Sequence, residues 1–280
     1  MTPAPEPISA TPFTNRALVA GALYAAPDRL AQRTTALHRA KASGADATDT
    51  IAALAADADP APDVIIDVGC GRGTATVRLA RQYPSAAILA VDQSPGLLTA
   101  VRDRLTAQHR RAALVAADFH HLPLPTASAD LALASFCLYH SPQPEHALAE
   151  IARCVRPGGW IIATTKSADS YHDIDTLIAT SGLDPDANQR PSLYQTFHTG
   201  NAEAVAIAAG LTVQRRIDQQ HTFEFADLAH LAAYATTCPK YRLPANLPDA
   251  ASLAAELRRR LPDAALTTAS TVTYLLARRP

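Results

Sequence analysis

The feature that most constrains the fold is the stretch of residues 64–76, which reads VIIDVGCGRGTAT. Residues 64–66 form a short apolar, β-branched run of the kind that is buried on both faces of a parallel sheet. The run ends at Asp67, and three alternating glycines then predict a tight turn into a helix. A strand, glycine turn and helix in this order present free backbone N–H groups to a ligand at the strand's carboxyl end. The glycines are Gly69, Gly71 and Gly73.

The spacing of these glycines separates two classes of ligand. The dinucleotide fingerprint G-x-G-x-x-G places a helix under a pyrophosphate, whereas this sequence reads D-x-G-x-G-x-G from Asp67. A carboxylate directly before the loop repels a pyrophosphate but attracts an ammonium, directly or through water. A second predicted strand, residues 86–91, leads to Asp92, which lies 19 residues after Gly73 and can accept two ribose hydroxyls. An amino acid and a ribose together predict S-adenosylmethionine.

Residues 63–166 resemble the core of a class I S-adenosylmethionine-dependent methyltransferase of the small-molecule type. The R-P-G-G turn at residues 156–159 is frequent in this family before strand five and strengthens the resemblance. It implies an α/β fold with a Rossmann-like, doubly wound, seven-stranded sheet. The last strand is expected to be antiparallel and to lie between strands five and six. The alternative is a glycine-rich turn in some other α/β protein.

The resemblance also implies which residues hold the cofactor. Asp67 and the loop are expected to take the amino acid, Asp92 the ribose, and Asp118 the adenine amino group, with the backbone of Phe119 against the ring. The alternative for Asp118 is a turn residue before the next segment. The residues predicted to contact S-adenosylmethionine, or its product S-adenosylhomocysteine, are Asp67, Gly69, Cys70, Gly71, Gly73, Asp92, Gln93, Asp118, Phe119 and Ser135.

The length of 280 residues suits one large α/β domain with additions. We expect a disordered tail over residues 1–12, a helical lid over 13–60 and a methyltransferase domain over 61–280. An insertion at about 166–200 is longer than an α/β connection requires, and in this family it covers the acceptor. The predicted acceptor contacts are Tyr24, His140, Tyr194, His198 and Asn201. Tyr24 is equally well interpreted as a core tyrosine.

Composition limits the partners. The 25 basic and 26 acidic residues are nearly balanced, and no basic stripe typical of nucleic-acid binding is present. We therefore expect a small-molecule acceptor and no nucleic acid. No apolar run approaches the roughly 20 residues that span a bilayer, so no membrane association is expected. The four scattered cysteines suggest reduced thiols in a cytoplasmic protein. A homo-oligomer is left open.

Candidates for catalysis are few. No Ser-His-Asp, metal or paired-carboxylate arrangement stands out by spacing, and the adjacent rings of His120 and His121 do not readily share one metal. His140, next to Tyr139, lies just past the fourth predicted strand, where the sulfonium methyl is expected to point. His140 is a candidate general base, with an acidic limb of the rate profile at about pH 6 to 7. The alternatives are a surface histidine or a residue that shapes the pocket, with Tyr139 or Tyr194 orienting the acceptor.

The function predicted is methyl transfer from S-adenosylmethionine to N, O or C of a small, specialised metabolite. Because the methyl is already activated, positioning and exclusion of water suffice for the reaction. One alternative uses the same cofactor for another reaction such as cyclisation. A nicotinamide oxidoreductase is disfavoured by the glycine spacing, and a non-catalytic partner subunit is disfavoured by the lid.

Overall fold

A computed structural model of the chain describes residues 11–24 and 27–280. The strands are β1 (Lys41–Ser43), β2 (Val64–Val68), β3 (Ala87–Asp92), β4 (Ala113–Ala116), β5 (Ala129–Ser135), β6 (Val155–Lys166), β7 (Thr212–Phe225) and β8 (Leu266–Arg278). The helices are α1 (Arg16–Leu18), α2 (Pro27–Ala40), α3 (Ala47–Ala58), α4 (Thr74–Gln82), α5 (Pro95–Thr106), α6 (Pro144–Cys154), α7 (His172–Thr180), α8 (Ala202–Ala208), α9 (Leu228–Ala235) and α10 (Ala250–Arg260). A π-helical turn covers Val19–Leu23, and a 3₁₀ turn covers Leu138–His140. Ten of the twelve residues of the predicted tail lie outside the described residues.

The strands form one sheet in the order β1-β7-β8-β6-β5-β2-β3-β4. The pairings among β2, β3, β4, β5 and β6 are parallel, and β8 lies antiparallel between β6 and β7. This confirms the predicted doubly wound fold and its antiparallel last strand. The described residues form eight strands rather than seven, because β1 pairs antiparallel with the outer side of β7. β1 is only three residues long, and its sequence, Lys41-Ala42-Ser43, has no apolar run that would mark a strand.

Hydrophobic side chains pack on both faces of the sheet because helices cover both. Ile65 belongs to a buried cluster with α3, α4 and α5, whereas its neighbour Ile66 belongs to the cluster with α6 and α9 on the other face. Successive side chains of a strand alternate between faces, so an uninterrupted apolar run is what a doubly covered strand requires. The parallel register places the carboxyl ends of β2, β3, β4 and β5 along one edge.

The segment predicted as a helical lid, residues 13–60, is divided by the structure. Ile51 and Leu54 of α3 are buried in the cluster beside α4, so α3 is part of the sandwich. Of the residues before β1, the structure describes 11–24 and 27–40, and α2 packs against α9, β7 and α5. His230 of α9 donates from Nε2 to the carbonyl of Ala36 at 2.9 Å. Of the segment expected to form a lid, the described residues 13–24 and 27–40 belong neither to the sheet nor to the buried cluster beside α4.

Candidate functional site

The glycine loop between β2 and α4 has positive φ at Gly69, Gly71 and Gly73. A Cβ at Gly69 would lie 2.4 Å from the Cβ of Cys137, and one at Gly73 would lie 2.9 Å from a methyl of Val101. These two glycines are thus required by backbone conformation and by packing. At Gly71 the nearest atom is 4.0 Å away, so its missing side chain leaves open space toward the ligand edge.

A cavity of about 680 Å³ lies at the carboxyl edge of the sheet, a volume typical of small-molecule sites. One half adjoins the glycine loop, and the other lies under the N-terminal segment. Nine of the ten predicted cofactor residues line it: Asp67, Gly69, Cys70, Gly71, Asp92, Gln93, Asp118, Phe119 and Ser135. The tenth, Gly73, is placed at the N-terminus of α4.

Asp67 lies at the base of the loop with only 1% of its surface exposed. Thr76 of α4 donates its hydroxyl proton to Oδ2 of Asp67 at 2.5 Å. Burial raises the pKa of Asp67 to about 6, and the Thr76 hydrogen bond opposes that shift. A buried carboxylate with so little internal compensation is well suited to an ammonium ligand. Sequence reasoning did not identify Thr76, which lies two residues into the helix.

Asp92 follows β3 and is oriented by two backbone groups. Its Oδ2 accepts from the N–H of Gly71 at 2.9 Å, and its Oδ1 accepts from the N–H of Ser94 at 2.9 Å. Burial raises the pKa of Asp92, and these hydrogen bonds lower it. Each carboxylate oxygen retains a second acceptor site, so ribose hydroxyls fit the arrangement.

Ser135, at the end of β5, provides an independent test of the cofactor. Its hydroxyl is buried and has no hydrogen-bond partner among the described residues, although the residue lines the cavity. A buried polar atom without a partner costs about 1–3 kcal/mol, which a ligand can recover. With Asp67 and Asp92 also facing the cavity, the residues present fit S-adenosylmethionine.

Asp118 is part of a hydrogen-bonded chain that residue spacing did not reveal. Its Oδ1 accepts from Nδ1 of His120 at 2.7 Å, and Nε2 of His120 lies 2.8 Å from Oγ of Ser141. Ser141 has no exposed surface and also accepts from the N–H of Gln143. The chain therefore connects the loops after β4 and β5 and does not present a nucleophile. Arg16 of α1 pairs with Oδ2 of Asp118.

His140 lies in the other half of the cavity and is held at both ring nitrogens. Nδ1 is 3.0 Å from the carbonyl oxygen of Phe13, so Nδ1 carries the proton. Nε2 therefore accepts from the hydroxyl of Tyr24 at 3.1 Å, and that hydroxyl accepts from Arg33 at 3.1 Å. Burial lowers the pKa of His140 to about 4, and Arg33 adds to this effect. A free imidazole would give an acidic limb at about pH 6 to 7, whereas burial places the pKa of this histidine below that range.

Aromatic rings form the wall around His140. The ring of Tyr139 lies 5.0 Å from that of Tyr194 and 5.4 Å from that of Phe13. Thr196 donates to the carbonyl of Tyr139 at 3.1 Å, which fixes the inserted segment against the end of β5. Tyr24, Tyr139, His140 and Tyr194 therefore meet in one place, as the predicted acceptor site requires.

His198 and Asn201 are placed outside this cavity, which corrects their prediction as acceptor contacts. Oδ1 of Asn201 accepts from the N–H of His198 at 2.7 Å, and its Nδ2 donates to the carbonyl of Thr196. Nδ1 of His198 accepts from the N–H of Gly200 at 3.0 Å. Both side chains are thus occupied in closing the turn before α8.

Sequence reasoning missed several residues of the acceptor half. Arg33, Lys166 and Tyr171 line it, and Tyr234 and Cys238 close it from the C-terminal side. The sequence contained a signal for one of these residues, because Lys166 lies at the end of a predicted strand, on the edge of the sheet where the ligand is expected. Among residues 11–24 and 27–280, no three His, Cys, Asp or Glu side chains are grouped to hold a metal. Within the same residues, no helix has the length and apolar character needed to cross a membrane.

Comparison with known proteins agrees with this geometry. Residues 66–163 match the family model described as a methyltransferase domain. A malonyl-[acyl-carrier protein] O-methyltransferase of Hahella chejuensis is 34% identical over 116 residues, 41% of this chain and 40% of the relative. A ubiquinone/menaquinone biosynthesis C-methyltransferase of Syntrophotalea carbinolica is 31% identical over 135 residues, 48% of this chain and 57% of the relative.

Among solved structures, a putative methyltransferase from Bacillus halodurans superposes with a TM-score of 0.58 at 15% identity, over 83% of this chain and 99% of the other. That likeness concerns the fold alone. The chain spans about half the length of the curated relatives it matches. The family match, the relatives and the site geometry agree that residues 66–163 of this chain are a methyltransferase domain.

Proposed function

We propose that this chain transfers the methyl group of S-adenosylmethionine to a small acceptor bound in the aromatic half of the cavity. The observation that carries the proposal is that one cavity is lined both by the glycine loop with Asp67 and Asp92 and by Tyr139, His140 and Tyr194. When bound, the cofactor supplies an activated methyl on a sulfonium. The names of the relatives point to oxygen or carbon as the methylated atom.

The chain's own residues hold the two ligands and exclude water. Asp67 and Asp92 bind the charged and ribose ends of the cofactor, and Asp118 lies where the adenine is expected. The aromatic wall and the lid shield the acceptor half, so that the two ligands react by proximity.

His140 is better suited to position the acceptor than to remove a proton. The lone pair on Nε2 of His140 already accepts a hydrogen bond from the Tyr24 hydroxyl. The pKa of His140, about 4, also makes the imidazole a weak proton acceptor at neutral pH. The acceptor site that we propose is formed by His140 and two segments of the chain. These segments are the lid, residues 13–40, and the insertion, residues 166–200.

The test uses the purified chain with S-adenosylmethionine carrying a deuterated methyl group and a panel of small acids, phenols and acyl thioesters, including malonyl-[acyl-carrier protein]. We expect mass spectrometry to detect an acceptor that carries the labelled methyl, and Asp92→Ala to lose most of this product. A product that forms only with the cofactor present but gains no label would instead support cyclisation or another reaction without methyl transfer.

A further inference from the structure

Arg33 is a buried cation of α2 in the acceptor half of the cavity, with 9% of its surface exposed. Its guanidinium donates to the Tyr24 hydroxyl at 3.1 Å, and its Cζ lies 5.6 Å from the ring centroid of Phe13. A guanidinium carries five N–H donors, and the Tyr24 bond uses one of them. In the described part of the chain, no carboxylate lies within ion-pair distance of Arg33.

Lys166 is a second cation of this half, partly buried at the end of β6. Its Nζ donates to the hydroxyl of Tyr171 at 2.5 Å and lies 4.7 Å from the centroid of that ring. The rings of Phe136 and Tyr194 are within 6 Å as well, at 5.7 and 5.8 Å. Burial, with a smaller effect of the Arg33 charge, lowers the pKa of Lys166 to about 7. Across residues 11–24 and 27–280, Lys166 also has no carboxylate partner.

Two other partly buried cations of this chain have the carboxylate partner that Arg33 and Lys166 lack. Arg190 pairs with Asp184, and Lys240 pairs with Asp175 at 2.5 Å. Burying a charge is costly unless it is paired, so cations in protein interiors normally have a counter-ion. Arg33 and Lys166 face one cavity and repel each other across it. An anionic ligand would supply the missing partner to both.

The carboxylates that line the cavity are committed elsewhere. Asp67 and Asp92 face the cofactor half, and Asp118 is held by His120 and Arg16. Asp46 caps α3 by accepting from the N–H of Thr48. Arg72 and Arg104 also line the cavity near the glycine loop, so the cofactor half contains charges of both signs. Arg33 and Lys166 of the acceptor half have no carboxylate partner among the described residues, and this suits an anionic acceptor.

We propose that the acceptor of this enzyme is a carboxylate-bearing compound whose carboxylate binds between Arg33 and Lys166. That the bound compound is a methyl acceptor rests on the proposed function, whereas the anion site itself can be tested without it. A guanidinium binds a carboxylate through two parallel hydrogen bonds, and an ammonium adds a third donor. Because a carboxylate is ionised at neutral pH, its binding requires no proton transfer to His140.

The probes are two matched pairs, benzoate with benzamide and hexanoate with hexanamide, titrated by calorimetry into protein saturated with S-adenosylhomocysteine. We expect each carboxylate to bind at least about tenfold more tightly than its amide, since a hydrogen bond to a charged group contributes about 1.5–3 kcal/mol. Arg33→Gln and Lys166→Gln should each reduce this preference about tenfold or more. Arg29→Gln removes an exposed charge from the same helix and should leave the preference unchanged.

Two readouts separate this inference from the proposed function. The affinity for S-adenosylhomocysteine is measured first and should be retained in all three variants. Retained affinity also shows that the variants are folded. If Arg33→Gln does not fold, Arg33→Lys provides a second test. Amides that bind as tightly as their carboxylates, a preference that survives both substitutions, or no binding of either carboxylate up to its solubility limit would overturn the anion site. Failure of the wild type to bind S-adenosylhomocysteine, with the anion preference intact in ligand-free protein, would overturn only the proposed function.

Discussion

Asp67 carries a charge that the fold tolerates poorly and the cofactor requires. Its pKa is raised from 3.8 to about 6 by burial. A carboxyl group whose pKa is higher in the folded state binds protons more tightly there, so its ionisation costs stability above pH 6 and the cost is relieved as the pH falls toward 4. Cofactor binding has the opposite dependence, because only the ionised form attracts an ammonium.

Asp67→Asn should therefore weaken S-adenosylhomocysteine binding at pH 8 by tenfold or more while raising the free energy of unfolding by up to ~3 kcal/mol. The asparagine oxygen can still accept the Thr76 hydroxyl. Calorimetry and urea unfolding measure the two effects, with the exposed Asp63→Asn as the control. Wild-type affinity that stays constant from pH 8 to about pH 5 would contradict the role assigned to this carboxylate.

His140 illustrates how tertiary contacts change a residue's chemistry. With its pKa lowered to about 4 and its Nε2 occupied by Tyr24, it remains neutral over the usual assay range. We expect His140→Ala to raise the KM for the acceptor and to lower kcat by less than about tenfold, short of the roughly 10²- to 10⁴-fold loss typical of a general base. The control is His146→Ala on the exposed side of α6. A fall of kcat near pH 6 to 7 that disappears in His140→Ala would restore the histidine as the base.

At the scale of elements, α1 is connected to the sheet edge through the ion pair of Arg16 with Asp118. The Arg16 side chain is 79% exposed, and exposed pairs contribute about 0–1 kcal/mol. Arg16→Ala should consequently raise the association and dissociation rates of S-adenosylhomocysteine by no more than about fivefold, leaving Kd within about twofold. Asp118→Ala should weaken Kd by about tenfold, since it also removes the expected adenine contact. Stopped-flow binding distinguishes the two variants, and a tenfold change of Kd in Arg16→Ala would show that the Arg16–Asp118 ion pair contributes more than an exposed pair should.

The inserted segment is connected to the C-terminal part of the chain by a buried polar cluster. Asp175 of α7 accepts from Lys240 at 2.5 Å and from the Tyr241 hydroxyl at 2.9 Å. Asp175→Ala leaves the ammonium buried without its partner and should lower the free energy of unfolding by about 3–5 kcal/mol. Asp173→Ala, at an exposed position of the same helix, should change it by less than about 0.5 kcal/mol. Equal unfolding midpoints for the two variants would show that this cluster does not hold the insertion.

At the scale of the whole molecule, cofactor binding and folding are coupled because the site is assembled from the ends of several strands. A ligand present at a hundred times its Kd stabilises the folded state by about 2.7 kcal/mol, which for a chain of this size raises Tm by roughly 5–10 °C. S-adenosylhomocysteine should produce this shift in a thermal melt. Asp92→Ala at the same concentration should show half of it or less, whereas NADH should produce no shift. A shift with NADH that exceeds the shift with S-adenosylhomocysteine would argue against the ligand assignment.

The cofactor half of the site was predictable because its determinants are local. The run VIIDVGCGRG contains a strand, a carboxylate and three glycines in contiguous sequence, and Gly69 and Gly73 are needed for a conformation that neighbouring residues impose. Thr76 and the chain from Asp118 to Ser141 escaped prediction, because hydrogen bonds between side chains depend on how loops meet. The prediction of His198 as an acceptor contact failed for the same reason, because its hydrogen bonds are to Gly200 and Asn201 of its own turn.

The sequence by itself determined which segments form the parallel strands and which cofactor fits the loop, because hydrophobic runs and glycine spacing are short-range signals. The antiparallel last strand followed from the resemblance to the family. Only the tertiary structure decided the acceptor half. Arg33 comes from α2, Lys166 from the end of β6 and Tyr171 from the turn before α7. Whether such a charge is exposed or buried without a partner depends on contacts between elements more than a hundred residues apart in the chain, and no local pattern records those contacts.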